Sequence, residues 1–337
     1  MTDRPAPPRG RGGDLRYWLA AQRGPLIAAA LFAVMFAVFV TEHPAGLSVN
    51  VVNTAANKGV LLAFVAIAQT LPVLTAGLDL SVGSVFVLAN CLASTVVTGT
   101  PLQVALGVAG VLASGAVCGA LNGVVVVFGR LQPIIATLAT GAIYGGVALW
   151  LRPTPGGAID EDFADFITGS AGELVPVSLL VLAAAVAVIW IPYRRSAVGR
   201  AAYAIGSSEQ AAYMSGVPVA RAKFLAYLLA GLFAAIAGLL LTCITYSGEA
   251  NALLGGSYTL SSVAAVVVGG TSLYGGSGGA IGTIFGAFVL RTIGDLLFVF
   301  DIDALSQPLF LGIVLLVSVS LGSFRLLKVT RRLELYR

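Results

Sequence analysis

Residues 224–246 read FLAYLLAGLFAAIAGLLLTCITY, a run of 23 residues without a charged side chain. A helix of roughly 20 apolar residues crosses the hydrocarbon core of a bilayer, so this run predicts a transmembrane span. Similar runs predict ten spans in all: 25–41, 59–76, 80–98, 102–128, 133–151, 174–192, 224–246, 259–274, 279–299 and 305–322. Because 259–274 and the segment around 77–84 are rich in Gly, Ser and Thr, either could be broken or re-entrant. The sequence therefore predicts an all-α polytopic membrane protein with about ten transmembrane helices, and with eight as the lower bound.

The composition of the whole chain supports a membrane protein. Apolar residues make up 58% of the sequence and charged residues only 10%, whereas soluble domains carry about 25% charged residues. This composition excludes soluble enzymes, nucleic-acid binders and disordered proteins, and it makes lipid an expected partner. The net charge of +4 is typical of a membrane protein that keeps Lys and Arg on the cytoplasmic side.

Three segments contain 15 of the 19 basic residues: 1–24, 193–223 and 323–337, with five each. The predicted spans separate these segments by six and then by four, so all three can lie on the cytoplasmic side. We therefore expect cytoplasmic termini, with a flexible basic tail at 1–24, a transmembrane domain at 25–322 that includes the cytoplasmic loop 193–223, and a basic tail at 323–337. The acidic connection 152–173 falls on the opposite face.

Two sets of glycines recur at every fourth position, which places each set on one face of a helix. Small residues in this pattern allow helix backbones to approach closely in lipid. The two stripes pack either against helices of the same subunit or against a second copy in a homodimer. They consist of Gly115, Gly119 and Gly123, and of Gly278, Gly282 and Gly286.

Polar side chains at membrane depth are the candidates for a solute pathway. Asp79 lies between two apolar runs in TAGLDLSVGS (75–84), where a carboxylate must be capped or must face water. Asp79 or Ser81 can cap the helix that begins there, and Asp79 can also face a solute at a broken helix. Neutral polar residues nearby either bond between helices or line a cavity for a hydroxylated solute: Gln69, Asn90, Asn122, Thr137, Thr140 and Tyr144.

Charged residues are nearly absent from the predicted spans. Arg291 and Asp295 are four residues apart and are predicted to pair on one helix face. Because proton and sodium antiporters need more buried carboxylates than this, the pattern argues against ion-coupled transport.

The loop sequence GRAAYAIGSSEQAAYMSGV (199–217) predicts a short helix outside the membrane. Ser207 or Ser208 can cap this helix, and Gly216 can end it. A basic loop of this kind is either a docking surface for another protein or a solvated connection.

No motif for catalysis, metal binding or nucleotide binding is present. His43 is the single histidine, and the three cysteines lie inside apolar runs without metal-ligand spacing. None of the three lysines stands in the G-x-x-x-x-G-K-[ST] context of a P-loop. We therefore expect a protein that is not an enzyme and that binds no metal or cofactor of its own.

Four stretches, in order, resemble the permease subunits of ribose-type ABC sugar importers, within the wider branched-chain-amino-acid-type permease superfamily. They are GLDLSVGS (77–84), Asn122-Gly123 with PIIATLAT (133–140), the loop 199–217, and AAVVVGGTSL (264–273) with the glycines that follow. The resemblance covers residues 50–322. This sequence departs from the family pattern at three places. It has Ser207-Ser208 where the family commonly has Gly-Asn, Ser261 where an acidic residue is frequent, and Gly294-Asp295 where Asn-Gly is frequent.

The resemblance implies a multi-pass permease of the plasma (inner) membrane that imports a monosaccharide or similar polyol by alternating access. Its partners would be cytoplasmic ATPase subunits, which bind ATP and Mg, an extracytoplasmic solute-binding protein, and a second permease copy in a homodimer or related heterodimer. The ATPase contact would comprise Arg200, Glu209, Ala211, Ala212 and Gly216. The pathway candidates are Asp79, Ser81, Asn90, Asn122, Thr137, Thr140, Tyr144, Thr271 and Ser272.

Other functions remain open from sequence. Within the superfamily, the cargo could be an amino acid, a nucleoside or a signalling furanone. Outside it, the alternatives are an ion-coupled secondary carrier, a membrane-embedded enzyme and a membrane scaffold.

Overall fold

Helices form almost the whole of the computed structural model, which describes residues 23–172, 175–317 and 320. In chain order they are α1 (Arg23–Glu42), α2 (Val49–Leu74), α3 (Val82–Val96), α4 (Pro101–Phe128), α5 (Pro133–Leu151), α6 (Glu161–Thr168), α7 (Val177–Arg195), α8 (Ala197–Ser207), α9 (Glu209–Met214), α10 (Val219–Thr245), α11 (Ala252–Val268), α12 (Ala280–Val299) and α13 (Gln307–Val317). One short hairpin pairs β1 (Ser170–Ala171) antiparallel with β2 (Val175–Pro176). The predicted tail 323–337, and all but the last two residues of the tail 1–24, lie outside the described residues.

The all-α prediction is confirmed for the described part of the chain. Seven of its helices are long and apolar enough to cross a membrane: α1, α2, α4, α5, α7, α10 and α12. Three shorter apolar helices, α3, α11 and α13, overlap the other three predicted spans, so the count of ten remains a prediction. The predicted span 259–274 is displaced, because α11 begins at Ala252 and ends before Gly270, whose φ is +82°.

Helix α2 lies at the centre of the bundle. Every residue from Gly59 to Leu74 is buried, as expected of a helix that is apolar on all sides. It packs against α3, α10, α11 and α12. One such contact is the stacking of Phe64 on Phe233 of α10, with ring centroids 6.3 Å apart.

Both glycine stripes contact helices of the same chain. A Cβ atom on Gly119 would lie 2.3 Å from the carbonyl oxygen of Tyr227 in α10. A Cβ atom on Gly286 would lie 2.1 Å from the carbonyl oxygen of Ala265 in α11. Because these separations are shorter than any ordinary van der Waals contact, the helices approach this closely only at glycine.

The two ends of the bundle differ in the elements they carry. At one end Asn53 of α2 donates a hydrogen bond to Ser170 of the hairpin, next to α6. At the other end the backbone N–H of Gly276 donates to the carbonyl oxygen of Leu74, the last residue of α2, next to α8. We call these the α6 end and the α8–α9 end.

Candidate functional site

The residues around Asp79 form a buried hydrogen-bond network in the connection between α2 and α3. The Asp79 side chain is only 2% exposed. One of its carboxylate oxygens accepts from the backbone N–H of Ser81 (2.9 Å) and from the Ser81 hydroxyl (2.6 Å). Asn122 donates to the Ser81 hydroxyl (2.7 Å), and Tyr144 donates to the Asn122 side-chain oxygen (3.0 Å). The structure therefore brings four of the predicted pathway candidates, Asp79, Ser81, Asn122 and Tyr144, together in one network.

Side chains from neighbouring helices also bind the backbone of this connection. The Gln69 amide, oriented to satisfy both of its groups, donates to the carbonyl oxygen of Asp79 (2.7 Å) and accepts from its N–H (3.3 Å). The Thr137 hydroxyl of α5 accepts from the N–H of Leu80 (2.9 Å). Thr140, one turn further along, donates to the carbonyl oxygen of Thr137. Buried backbone groups need such partners, so these residues stabilise the break between the two helices.

Ser81 is the N-cap residue of α3, but its side chain makes no capping hydrogen bond. The cap predicted for its hydroxyl is wrong, because that hydroxyl donates to Asp79. The N–H of Gly83, in the first turn of α3, instead donates to the Thr259 hydroxyl of α11 (3.1 Å). The carboxylate of Asp79 accepts a hydrogen bond from the N–H of Ser81, the N-cap residue, and not from the N–H of a later residue in α3.

The α8–α9 end contains a close backbone contact among three segments. A Cβ atom on Gly206 of α8 would lie 2.1 Å from the carbonyl oxygen of Leu74 and 2.2 Å from the backbone nitrogen of Gly276. Gly276 belongs to the connection 269–279 between α11 and α12, and Gly275 in the same connection lies against Ala76. The end of α2 therefore contacts both α8 and this connection through backbone atoms.

Thr271 and Ser272 both form hydrogen bonds within the connection 269–279. The Ser272 hydroxyl accepts from the N–H of Tyr274 (3.2 Å). The Thr271 hydroxyl accepts from the N–H of Gly279 (3.0 Å) and lies 3.5 Å from the Thr283 hydroxyl of α12. Thr70 of α2 donates to Thr283 (3.0 Å). A chain of three hydroxyls therefore joins this connection to α2.

Helix α9 presents one exposed face and one buried position. Ser208 caps it by accepting from the N–H of Ala211, and Gly216, with φ +75°, follows its last turn. Ala212 is 5% exposed and packs against α8 and α10. The other residues predicted for the ATPase contact are exposed: Arg200, Glu209, Ala211 and Gly216.

Two apolar side chains and one ion pair complete this exposed surface. Tyr213 and Met214 are 71% and 79% exposed. Glu209 forms an ion pair with Lys223 at the start of α10, with 2.6 Å between oxygen and nitrogen.

On α8, burial raises the pKa of Tyr203, whose hydroxyl donates to the carbonyl oxygen of Gly278 (2.9 Å).

At the α6 end, Asn90 binds the connection that follows α10. Its amide nitrogen donates to the Thr242 hydroxyl (2.9 Å) and to the carbonyl oxygen of Ser247 (3.1 Å), and its oxygen accepts from the N–H of Glu249 (2.9 Å). Next to it, Arg152 donates to the carbonyl oxygen of Ser94 (2.7 Å). All the polar atoms of the Asn90 amide group thus take part in bonds between segments.

An acidic residue at the same end acts on a neighbouring tyrosine. The Tyr246 hydroxyl donates to the carboxylate of Asp165, and this hydrogen bond raises the pKa of Tyr246.

The predicted pair between Arg291 and Asp295 does not form. Asp295 instead pairs with Lys58 of α2, with 3.6 Å between the charged atoms. Within the described residues, Arg291 makes no ion pair or hydrogen bond, and its Nε atom is buried. The sequence spacing correctly placed both residues on one helix but could not show that a lysine from another helix lies closer.

A polar stripe near the start of α2 was not predicted from the sequence. Asn50, Asn53, Thr54 and Asn57 follow the i, i+3, i+4, i+7 pattern of one helix face. The signal was present in the sequence, but these residues interrupt the apolar run, so the predicted span began only at residue 59. No group of three or more His, Cys, Asp or Glu residues that could hold a metal occurs in the described part of the chain.

A family model described as "Branched-chain amino acid transport system / permease component" matches residues 51–319. The chain is 33% identical over 316 residues to a ribose import permease protein of Escherichia coli strain K12, covering 92% of this chain and 96% of that protein. It is 33% identical over 292 residues to the ribose import permease protein of Haemophilus influenzae, covering 85% of this chain and 89% of that protein.

A third relative is named for a different solute. The chain is 32% identical over 275 residues to an autoinducer 2 import system permease protein of Photorhabdus temperata, covering 80% of each. No solved structure gives a significant match.

Proposed function

This chain belongs to the family of branched-chain amino acid transport system permease components and is a multi-pass protein of the inner membrane; we propose that it is the permease subunit of an ATP-driven, binding-protein-dependent importer of a monosaccharide or similar polyol. Two ribose import permeases align with it over most of both chains. ATP hydrolysis is assigned to a separate subunit, because this sequence has no P-loop of its own.

The observation that carries the proposal is the construction of the α8–α9 end. A partner that drives transport needs an exposed element, and that element must contact the membrane helices rigidly. Helix α9 is exposed on the side of Ala211 and Met214 and buried at Ala212. Helix α8 contacts the end of α2 at Gly206 through backbone atoms alone. A force on α9 therefore reaches the central helix of the bundle.

Two routes lead from this contact toward the membrane interior. The first runs from Leu74 into the connection that contains Asp79 and its hydrogen-bond network. The second runs through the connection 269–279 to Thr283 of α12 and back to Thr70 of α2. Rearrangement of packed helices about such connections is a common form of alternating access. The solute itself undergoes no chemical change.

The distribution of charge gives the proposed orientation. The α8–α9 end contains five basic residues and so faces the cytoplasm under the positive-inside rule: Arg194, Arg195, Arg200, Arg221 and Lys223. The α6 end contains the acidic residues Asp160, Glu161 and Asp162 and faces the binding protein. In this arrangement ten spans place both termini in the cytoplasm, and a second permease copy completes the transporter.

Reconstitution into vesicles tests this proposal. Vesicles that contain the permease and its ATPase subunit, with binding protein outside and ATP inside, are expected to accumulate radiolabelled D-ribose. Omission of any one component should reduce uptake to the level of empty vesicles. Unlabelled L-leucine or uridine should not compete. Uptake by the permease alone, driven by a proton or sodium gradient, would overturn the proposal.

A further inference from the structure

The polar stripe of α2 faces a cavity at the α6 end. Asn50, Asn53, Thr54 and Asn57 line it together with Thr168 and Ile244. Its volume of about 310 Å³ falls within the range of small-molecule sites, about 300–1,000 Å³. Polar side chains on a membrane helix usually face the protein or water, and here four of them face one cavity.

The amide groups in this cavity are only partly used by the fold. Asn57 donates from its nitrogen to the carbonyl oxygen of Thr168 (2.8 Å), and Asn53 donates to the Ser170 hydroxyl (2.5 Å). These bonds attach α6 and the hairpin to α2. The side-chain oxygen of Asn57 has no partner among the described residues, although the residue is only 9% exposed. A buried acceptor without a partner is costly, so this oxygen is suited to a ligand that donates a hydrogen bond.

The innermost residue of the stripe is also its most buried. Asn50 and Thr54 are exposed, Asn53 is half-buried and Asn57 is buried. At 1.5 Å per residue, Asn50 and Asn57 lie about 10 Å apart along the helix axis. A ligand that entered from the α6 end would meet exposed polar groups first and the buried acceptor last.

The lining residues also indicate the chemical class of the ligand. Those in the described part of the chain are amides, hydroxyls and one isoleucine, and none carries a charge. The ammonium and carboxylate groups of an amino acid would lose water here without gaining an opposite charge, which is costly. The hydroxyls of a sugar can donate to Asn57 and accept from the other side chains, while Ile244 can pack against a ring face.

We infer that this cavity is an entrance subsite for the transported solute, and that it binds a neutral polyhydroxylated ring through Thr54 and Asn57, with Asn50 at the rim of the cavity. The inference rests on the proposed function and adds residues outside the Asp79 network. It places the first contact of the solute with the permease at the α6 end.

A cysteine reporter tests this subsite directly in the assembled transporter. The Asn50→Cys variant should react with a membrane-impermeant maleimide added from the extracytoplasmic side, since the three native cysteines are buried. D-Ribose at saturating concentration should slow this reaction severalfold, whereas L-leucine should not. The matched control is Leu47→Cys, at a residue that is 72% exposed and does not line the cavity; its labelling rate should not change with ribose.

Two further variants in the Asn50→Cys background assign the effect to the stripe. Asn57→Leu should raise the ribose concentration needed for protection about tenfold, as expected for loss of a buried hydrogen bond. Because that change also removes the bond to Thr168, Thr54→Val is the second variant: it breaks no hydrogen bond of the fold and should still raise this concentration severalfold.

Equal labelling of Asn50→Cys with and without ribose would overturn the subsite. If that variant still imports ribose, the subsite fails while the proposed function stands. If wild-type complexes import no ribose at all, the proposed function itself fails.

Discussion

The two ends of the bundle differ in how far their contacts depend on side chains. At the α8–α9 end, Gly206, Gly276 and Leu74 meet through backbone atoms. At the α6 end, side chains attach the connections to α3, chiefly Asn90 to Ser247 and Arg152 to Ser94, alongside backbone hydrogen bonds such as the two between Gly156 and Gly248. A backbone contact has no rotamers, so it transmits displacement directly. A side-chain hydrogen bond contributes only about 1 kcal/mol and can be released by rotation.

This difference assigns a mechanical role to each end. We expect the α8–α9 end to move as a unit with the end of α2, and the connection after α10 to separate from α3 when the Asn90 side chain rotates. The predictions below test this contrast with paired variants, beginning with the largest expected effect.

Substitution of Gly206 should have the largest effect. In Gly206→Val the new side chain would overlap the carbonyl oxygen of Leu74 and the nitrogen of Gly276, so α8 must move away from α2. We expect a loss of about 3 kcal/mol of unfolding free energy, measured in mixed micelles, and loss of ATP-driven uptake. The control is Gly146→Ala in α5, where a Cβ atom meets nothing within 4 Å; it should retain uptake. Wild-type uptake by Gly206→Val would contradict the backbone contact.

Removal of the Asp79 carboxylate should have the next largest effect. Asp79→Ala leaves the N–H and the hydroxyl of Ser81 without their acceptor, at a cost of about 2 kcal/mol. Asp79→Asn retains one acceptor oxygen and should cost about half as much. Unfolding in mixed micelles measures both. An equal loss in the two variants would show that the charge matters more than the hydrogen bonds.

Asn90 tests the α6 end. Asn90→Ala removes three hydrogen bonds between segments but leaves the helices in place. We expect a loss of about 1 kcal/mol and faster proteolysis within the connection 246–251. The control is Thr95→Val, whose hydroxyl bonds only within its own helix and whose loss should change neither quantity. Unchanged proteolysis in Asn90→Ala would remove the contrast between the two ends.

The ion pair between Glu209 and Lys223 should have the smallest effect on stability. Glu209 is 56% exposed, and exposed ion pairs contribute about 0.5 kcal/mol. Glu209→Gln should therefore unfold close to the wild type, and the small difference should shrink at high salt. A loss several times larger would mean that the pair, not the packing of Ala212, attaches α9.

Local sequence patterns predicted the helices well because their causes are local. Apolar runs marked the membrane helices, and Ser208 with Gly216 marked the limits of α9. The patterns failed where a distant segment decides the outcome. The Ser81 hydroxyl donates to Asp79 instead of capping α3, and Asp295 pairs with Lys58 of another helix. The start of α2 was missed because its asparagines bond to α6 and the hairpin, which stabilise a polar stretch inside a membrane helix.

The same distinction applies to the candidate sites. The residues of the Asp79 network could be identified individually, because polar groups at membrane depth are conspicuous. Their mutual bonds could not be identified, since they join α3, α4 and α5. The role of Gly206 was equally hidden, because it depends on where α2 ends and on the path of the connection 269–279.

The central claim is that the exposed face of α9 is where an ATPase subunit acts on this permease. Single cysteines at Ala211 and Ala212, labelled with a short maleimide-linked photocrosslinker in native membranes that contain the whole transporter, test it most directly. Ala211 is exposed and Ala212 is buried, so Ala211→Cys should form a covalent adduct with the ATPase subunit and Ala212→Cys should not. Failure of Ala211→Cys to capture that subunit, or its labelling from the extracytoplasmic side, would contradict the account.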